Sequence, residues 1–133
     1  MKRVKMRCPY CGSLASKRPA SFIYGKKANP DAFLYVCDKY PKCNSYVAAH
    51  KDNGLPMGTL ANEQLRRKRI AAHKALDRIW IKGFMTKEQV YVWLQSKFNM
   101  SDKEMHIGNF DEYYCNQVIF ECNKAYRNMR LLL

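Results

Sequence analysis

Two pairs of cysteines carry the clearest chemistry in this chain. Cys8 and Cys11 lie in CPYCG, and Cys37 and Cys43 lie in CDKYPKC, with 25 residues between the pairs. In a C-x-x-C turn both sulfurs face one point; Pro9 stiffens the turn and Gly12 lets the chain leave it at positive φ. Tetrahedral zinc needs four soft donors, and two such turns bridged by a hairpin supply them. The spacing therefore predicts one structural Zn2+ held by Cys8, Cys11, Cys37 and Cys43, in a zinc ribbon. Disulfides would need an oxidising compartment, and nothing in the sequence points to one.

Other candidate ligands are weaker. His50 follows Cys43 by seven residues. It is a candidate to replace a cysteine or to bind a second ion, although the cysteine set is already complete. His73 precedes Asp77 by one helical turn, close enough for a hydrogen bond. His106 stands before Ile107-Gly108. Convergence of His50, His73 and His106, with Asp77 nearby, would make a second metal site or an outer layer to a site. Cys115 and Cys122 are seven apart on a helical stripe, about 10 Å at 1.5 Å per residue, too far to share one ion. They read as core thiols.

No enzyme motif accompanies these residues. G-x-S-x-G, a phosphate-cradling glycine loop, H-E-x-x-H and paired carboxylates on one face are all absent. The P-C-x-x-C half of a zinc deaminase lacks its H-x-E partner, because His73 is followed by Lys74 and Ala75. The reading is a non-enzymatic protein. A hydrolytic metalloenzyme built on the histidines would need a second metal.

Around these sites the elements fall into two styles. SFIY (Ser21–Tyr24) and AFLYV (Ala32–Val36) read as strands of a hairpin around the turn formers of GKKANPD, with a third strand at Ser45–Ala48. KDNGLPMG marks a boundary, giving a ribbon over 1–58 and a helical part over 59–133 docked on it. After the boundary the period approaches 3.6. A helix capped by Thr59 or Asn62 runs to about Ile81, with Leu65, Ala72, Leu76 and Ile79 inward and Arg66, Arg67, Lys68 and Arg69 on the other side. Thr86-x-x-Gln89 and Ser101-x-x-Glu104 are capping boxes. The first opens a helix with Val90, Trp93, Leu94 and Phe98 inward. Asp111 caps a last helix whose buried stripe is Cys115, Val118, Cys122, Ala125 and Met129. The fold class is α+β: an N-terminal zinc ribbon packed on three or four helices.

The chain of 133 residues has a formal charge of +13, unevenly spread. Residues 1–27 hold eight Lys or Arg and no acid; residues 62–83 hold seven basic and two acidic residues; the rest balances. Such bias predicts nucleic acid or an acidic protein surface as partner. Lys2, Arg3, Lys5, Arg7, Lys17, Arg18 and Arg66–Arg69 are the candidate phosphate contacts. Tyr10 and Tyr40 in the Cys turns, and Tyr24 and Tyr35 on the hairpin, suit either base stacking or a small core. With neither a leader-like apolar run nor a membrane span, the expectation is a monomer in the reducing cytoplasm.

CPYCGS followed by FLYVCDKYPKCNSYV resembles the C-terminal zinc ribbons of bacterial type IA topoisomerases over residues 8–47. Those ribbons bind single-stranded DNA, which implies a nucleic-acid role by analogy. A longer series resembles a family of small phage and bacterial zinc-finger-containing proteins. It comprises CPYCG, IYG, YVCDKYPKCNSYVAAHK, PMGTLAN, LRRKRIAAHKALDRIW and HIGNF, over most of residues 8–110. The resemblance implies that His50, His73 and His106 belong to the family pattern. The chain is also similar to phage anti-CRISPR zinc proteins that bind Cas9. That likeness implies an inhibitor in a host bacterial cell, docking by its basic helix and ribbon surface to block DNA loading or activation. The alternative implied by charge and ribbon is a single-stranded or regulatory nucleic-acid binder.

Overall fold

The computed structural model describes residues 5–132. It consists of two compact units, the first ending at Gln64 and the second beginning at Leu65. The class is α+β, with the sheet in the first unit and the long helices after it.

In the first unit four short strands, β1 (Met6–Arg7), β2 (Leu14–Pro19), β3 (Phe33–Cys37) and β4 (Tyr46–Ala48), form one antiparallel sheet in sequence order. The β2–β3 register sets Ala15 opposite Cys37 and Pro19 opposite Phe33. Alternate β3 residues feed two clusters, because successive side chains of a strand point to opposite faces. Tyr35 and Cys37 join Cys8 and Leu60 on one face. Leu34 and Val36 join Ala20 on the other, covered by Ile23, Tyr40 and Tyr46.

The hairpin differs from the sequence expectation in one strand. Ser21–Tyr24 is a single helical turn, α1, and the partner of β3 is Leu14–Pro19. Pairing closes at Pro19–Phe33, and the Ala20 carbonyl then accepts from the N–H groups of both Ile23 and Tyr24. That turn, followed by Gly25 at φ +64°, carries the chain back to β3. The expected boundary after Gly58 also moves. Tyr46 and Ala61 exchange backbone hydrogen bonds (3.0 and 3.2 Å) and Leu60 is buried, so the segment after the loop stays with the sheet.

The second unit is built from α2 (Glu63–Ile81, whose first two residues belong to the first unit), α3 (Lys87–Phe98) and α4 (Glu112–Leu131). α2 begins directly after Asn62 and buries Leu65, Ala72, Leu76 and Ile79 as the period predicts. Arg69 is the correction: it lies on the buried face, and its Nε donates to the Phe110 carbonyl at 3.1 Å. It follows Leu65 by four residues, so helical phase puts it inward despite its charge. α2 ends in a Schellman motif: Gly83 (φ +80°) donates to Trp80 and Phe84 donates to Ile79.

Thr86 and Gln89 form the capping box of α3, and Ser101 and Glu104 form the second one over a turn. α3 buries Val90 and Leu94, with Trp93 and Phe98 half-buried. α4 buries Cys115, Val118 and Cys122, while Ala125 and Met129 are half-buried. Among the described residues no helix is long and apolar enough to cross a membrane.

Asp111 accepts a hydrogen bond from the Tyr114 N–H at 3.0 Å and so fixes the start of α4. Asp111→Ala is expected to lower stability by about 1 kcal/mol, whereas Asp111→Asn, an equally good cap, keeps most of it. Urea unfolding followed by the helical circular-dichroism signal measures both.

Candidate metal centre

The two Cys turns are built by backbone hydrogen bonds. Gly12 N–H donates to the Cys8 carbonyl at 2.9 Å, with Gly12 at φ +77°, and Cys8 N–H donates to the Ser13 carbonyl at 2.8 Å. In the second turn Tyr40 N–H donates to Cys37 and Cys43 N–H to Lys39. Cys37 N–H donates to the Ser45 carbonyl and Asp38 N–H to the Leu14 carbonyl, which tie this turn to its neighbours.

These turns bring all four sulfurs within 4.8 Å of one another. Cys8 Sγ and Cys43 Sγ are 3.5 Å apart, as are Cys11 Sγ and Cys37 Sγ. Zn–S bonds of about 2.3 Å in a tetrahedron require S–S edges of about 3.8 Å, so the set fits zinc. It does not fit disulfides, whose sulfurs lie at about 2.05 Å, and all six cysteines are free. Among the described residues this is the sole group of three or more metal-binding side chains so placed.

Two hydroxyls support the thiolates, and neither was singled out from the sequence. Ser45, fully buried, places Oγ 3.0 Å from Cys8 Sγ and 3.7 Å from Cys43 Sγ. Burial by itself would raise the Cys8 thiol, but Ser45 and the N–H groups of Tyr10 and Cys11 outweigh it and leave its pKa lowered. Hydrogen bonds from the Ser13 side chain and backbone bring exposed Cys11 down to about 6. Cys37 is pushed up to about 12 and Cys43 is raised, both first by burial. The cluster thus joins two thiols whose ionisation local hydrogen bonds favour to two whose ionisation burial opposes and a bound cation must drive. No short-range signal marks Ser45, because its closer partner, Cys8, lies 37 positions away.

The remaining candidates are divided between the two units, with Asp77 and His106 near enough to His73 in the second to act on it electrostatically. His50 lies in the first unit, half-buried, beside the 50–55 turn; His73 and His106 lie in the second unit, both exposed. Surrounding protein lowers the His73 pKa although the ring reaches solvent; Asp77 opposes this, and His106 and Lys87 add to it. Asp77 itself accepts from the Trp80 indole N–H at 2.9 Å. Cys115 and Cys122 are buried core thiols, raised to about 11 and about 12 by burial.

Arg67 is exposed while Arg66 and Lys68 are half-exposed, so within the run Arg66–Arg69 only Arg69 is buried. Lys5, Arg7, Lys17 and Arg18 are exposed; Lys2 and Arg3 lie outside the described residues. Tyr10 exposes 44% of its surface and its hydroxyl accepts from Asn62 N–H at 3.2 Å. Tyr40 is half-buried over the Leu34–Val36 cluster, and Tyr35 is buried. The tyrosines therefore divide between core and surface.

The family model of the zinc-finger-containing domain matches residues 4–125, and the chain belongs to that family. No curated protein and no solved structure matches it.

One zinc per chain is expected by elemental analysis, lost in Cys37→Ser. Ser45→Ala removes a hydroxyl that favours the Cys8 thiolate, so the Cys8 pKa rises and protons compete with zinc at higher pH. The midpoint of zinc release on acid titration should move upward, and zinc affinity should fall about 10- to 100-fold. A dye-release titration against pH reads both effects.

Proposed function

We propose that this member of the zinc-finger-containing family is a non-enzymatic nucleic-acid-binding protein that takes a single strand on the Arg18 face of its sheet. One arrangement carries the reading. The Arg18 guanidinium lies 4.7 Å over the Phe22 ring, and Phe22 lies 5.8 Å from Tyr40. Tyr24 stands edge-on to Tyr46 at 6.0 Å in the same region of the sheet. Phe22 and Tyr24 nevertheless expose 46% and 52% of their surface.

Exposed rings beside cations suit a strand that presents phosphates and base faces together. An acidic protein surface would match the cations and leave the ring faces unmatched. Lys26 and Lys27, exposed just after α1, extend the positive surface. The zinc holds the sheet that presents these groups and takes no part in chemistry. Docking on a Cas9-type effector would draw on the same cations and is the competing outcome of the test. The proposed setting is the cytoplasm of a bacterial cell.

Fluorescence anisotropy with a labelled oligothymidylate tests the reading from 50 to 200 mM salt. Binding is expected to weaken with salt, with a log–log slope of about −0.7 per phosphate contacted. Arg18→Gln should reduce that slope by about 0.7. Phe22→Leu should weaken binding roughly tenfold and leave the slope unchanged. Absence of binding at 50 mM salt overturns the proposal. Nuclease-resistant retention of a type II effector would then assign the surface to a protein partner.

A further inference from the structure

The opposite face of the sheet carries a hollow of about 300 Å³ between the Phe33 end of the β2–β3 pair and the turn at residues 50–54. That volume is at the lower end of the range for small-molecule sites. Its walls are held in place. Tyr35, in the next position on this face, donates its hydroxyl to the Gly54 carbonyl at 2.6 Å. Gly54 N–H donates to His50 at 3.0 Å, and His50 N–H donates to Leu55 at 2.7 Å, which closes the turn.

Lys17 points its ammonium into this space, 5.2 Å from the centre of the Phe33 ring. Gly54 makes that possible: it sits at φ +70°, and a Cβ there would stand 2.6 Å from Lys17 Nζ. Lys51 and His50 line the same hollow, with Asp31 as its one acidic residue. The balance is positive, with an aromatic wall exposed by 43%. An anion alone would leave the ring unused, and an apolar ligand would leave the ammonium groups unpaired.

We propose that this hollow binds a nucleoside monophosphate, its phosphate between Lys17 and Lys51 and its base against Phe33. The phosphate draws the Lys17 ammonium off the ring, and the freed ring face receives the base. Ammonium groups act here as mobile point charges that follow the phosphate. The site is independent of the Arg18 surface, because Lys17 and Arg18 are successive strand residues and face opposite ways. The phosphate belongs either to a free nucleotide or to the 5′ end of a strand.

Amide-shift titrations of the zinc-loaded protein with AMP and with inorganic phosphate test the site. AMP is expected to shift the Lys51 and Gly54 amides saturably and to bind at least tenfold more tightly than phosphate. Lys17→Gln should weaken AMP at least tenfold, and Phe33→Leu should bring AMP down to the level of phosphate. Unchanged zinc content certifies the fold of each variant. Arg18→Gln and Phe22→Leu should leave AMP binding intact, so failure of the strand-binding surface does not imitate failure here. A 5′-phosphorylated oligonucleotide that outbinds its 5′-hydroxyl form in the parent but not in Lys17→Gln makes the strand end the source. AMP binding without that gain makes it the free nucleotide. Absence of shifts with both AMP and the 5′-phosphorylated strand, or AMP affinity indifferent to Lys17→Gln, overturns the proposal.

Discussion

The gathering of four sulfurs within 4.8 Å is the constraint on which the first unit depends. The fully described part of that unit is about sixty residues long, and such a length buries too little apolar surface to fold comfortably alone. Its large buried side chains are few: Leu34, Tyr35, Val36 and Leu60, with Cys8 and Cys37 completing the core. Two of the ligands are thus core residues as well. A bound zinc ties the turn after β1 to the turn after β3, and the register that sets Ala15 beside Cys37 holds the same two turns together. Metal binding and strand pairing therefore stabilise each other, and the free energy of one is part of the other.

The same residue type serves a different end in the second unit. Cys115 and Cys122 share the stripe with Val118, fully buried, and burial keeps both thiols protonated at ordinary pH. Cys11 differs because it is exposed and has hydroxyl and amide donors from Ser13, which favour the thiolate. Spacing decides first, since a turn can converge two sulfurs and a straight helix cannot at seven residues. Local donors then decide which thiols ionise readily. The helical unit relies instead on caps at Thr86 and Asp111 and on left-handed residues at Gly83 and Asn99, which satisfy the helix ends.

The zinc ligands, the α2 and α4 stripes and the caps were legible because each obeys a short-range rule of spacing. Arg69 was missed because a run of four cations reads as one solvated face, although phase from Leu65 places it inward. Ser45 was missed because its role depends on a sulfur 37 positions away. β2 was missed for another reason. LASKRP has no apolar alternation, and SFIY beside it has the composition of a strand. Composition alone does not reveal that pairing closes at Pro19, since closure is set by the β3 partner and the Cys register.

That failure has a physical source that bears on function. A strand with a buried face advertises itself by alternating apolar residues, and a strand exposed on both sides does not. β2 places Lys17 on the zinc face and Arg18 on the other, each over an exposed phenylalanine. Neither cation contributes to a core, and each ring would be better buried if stability alone were at stake. Departures of this kind from the local rules concentrate where a surface is kept for a partner. The strand least readable as structure is therefore the one to which both proposed binding surfaces trace, and its two successive cations explain why they face opposite ways.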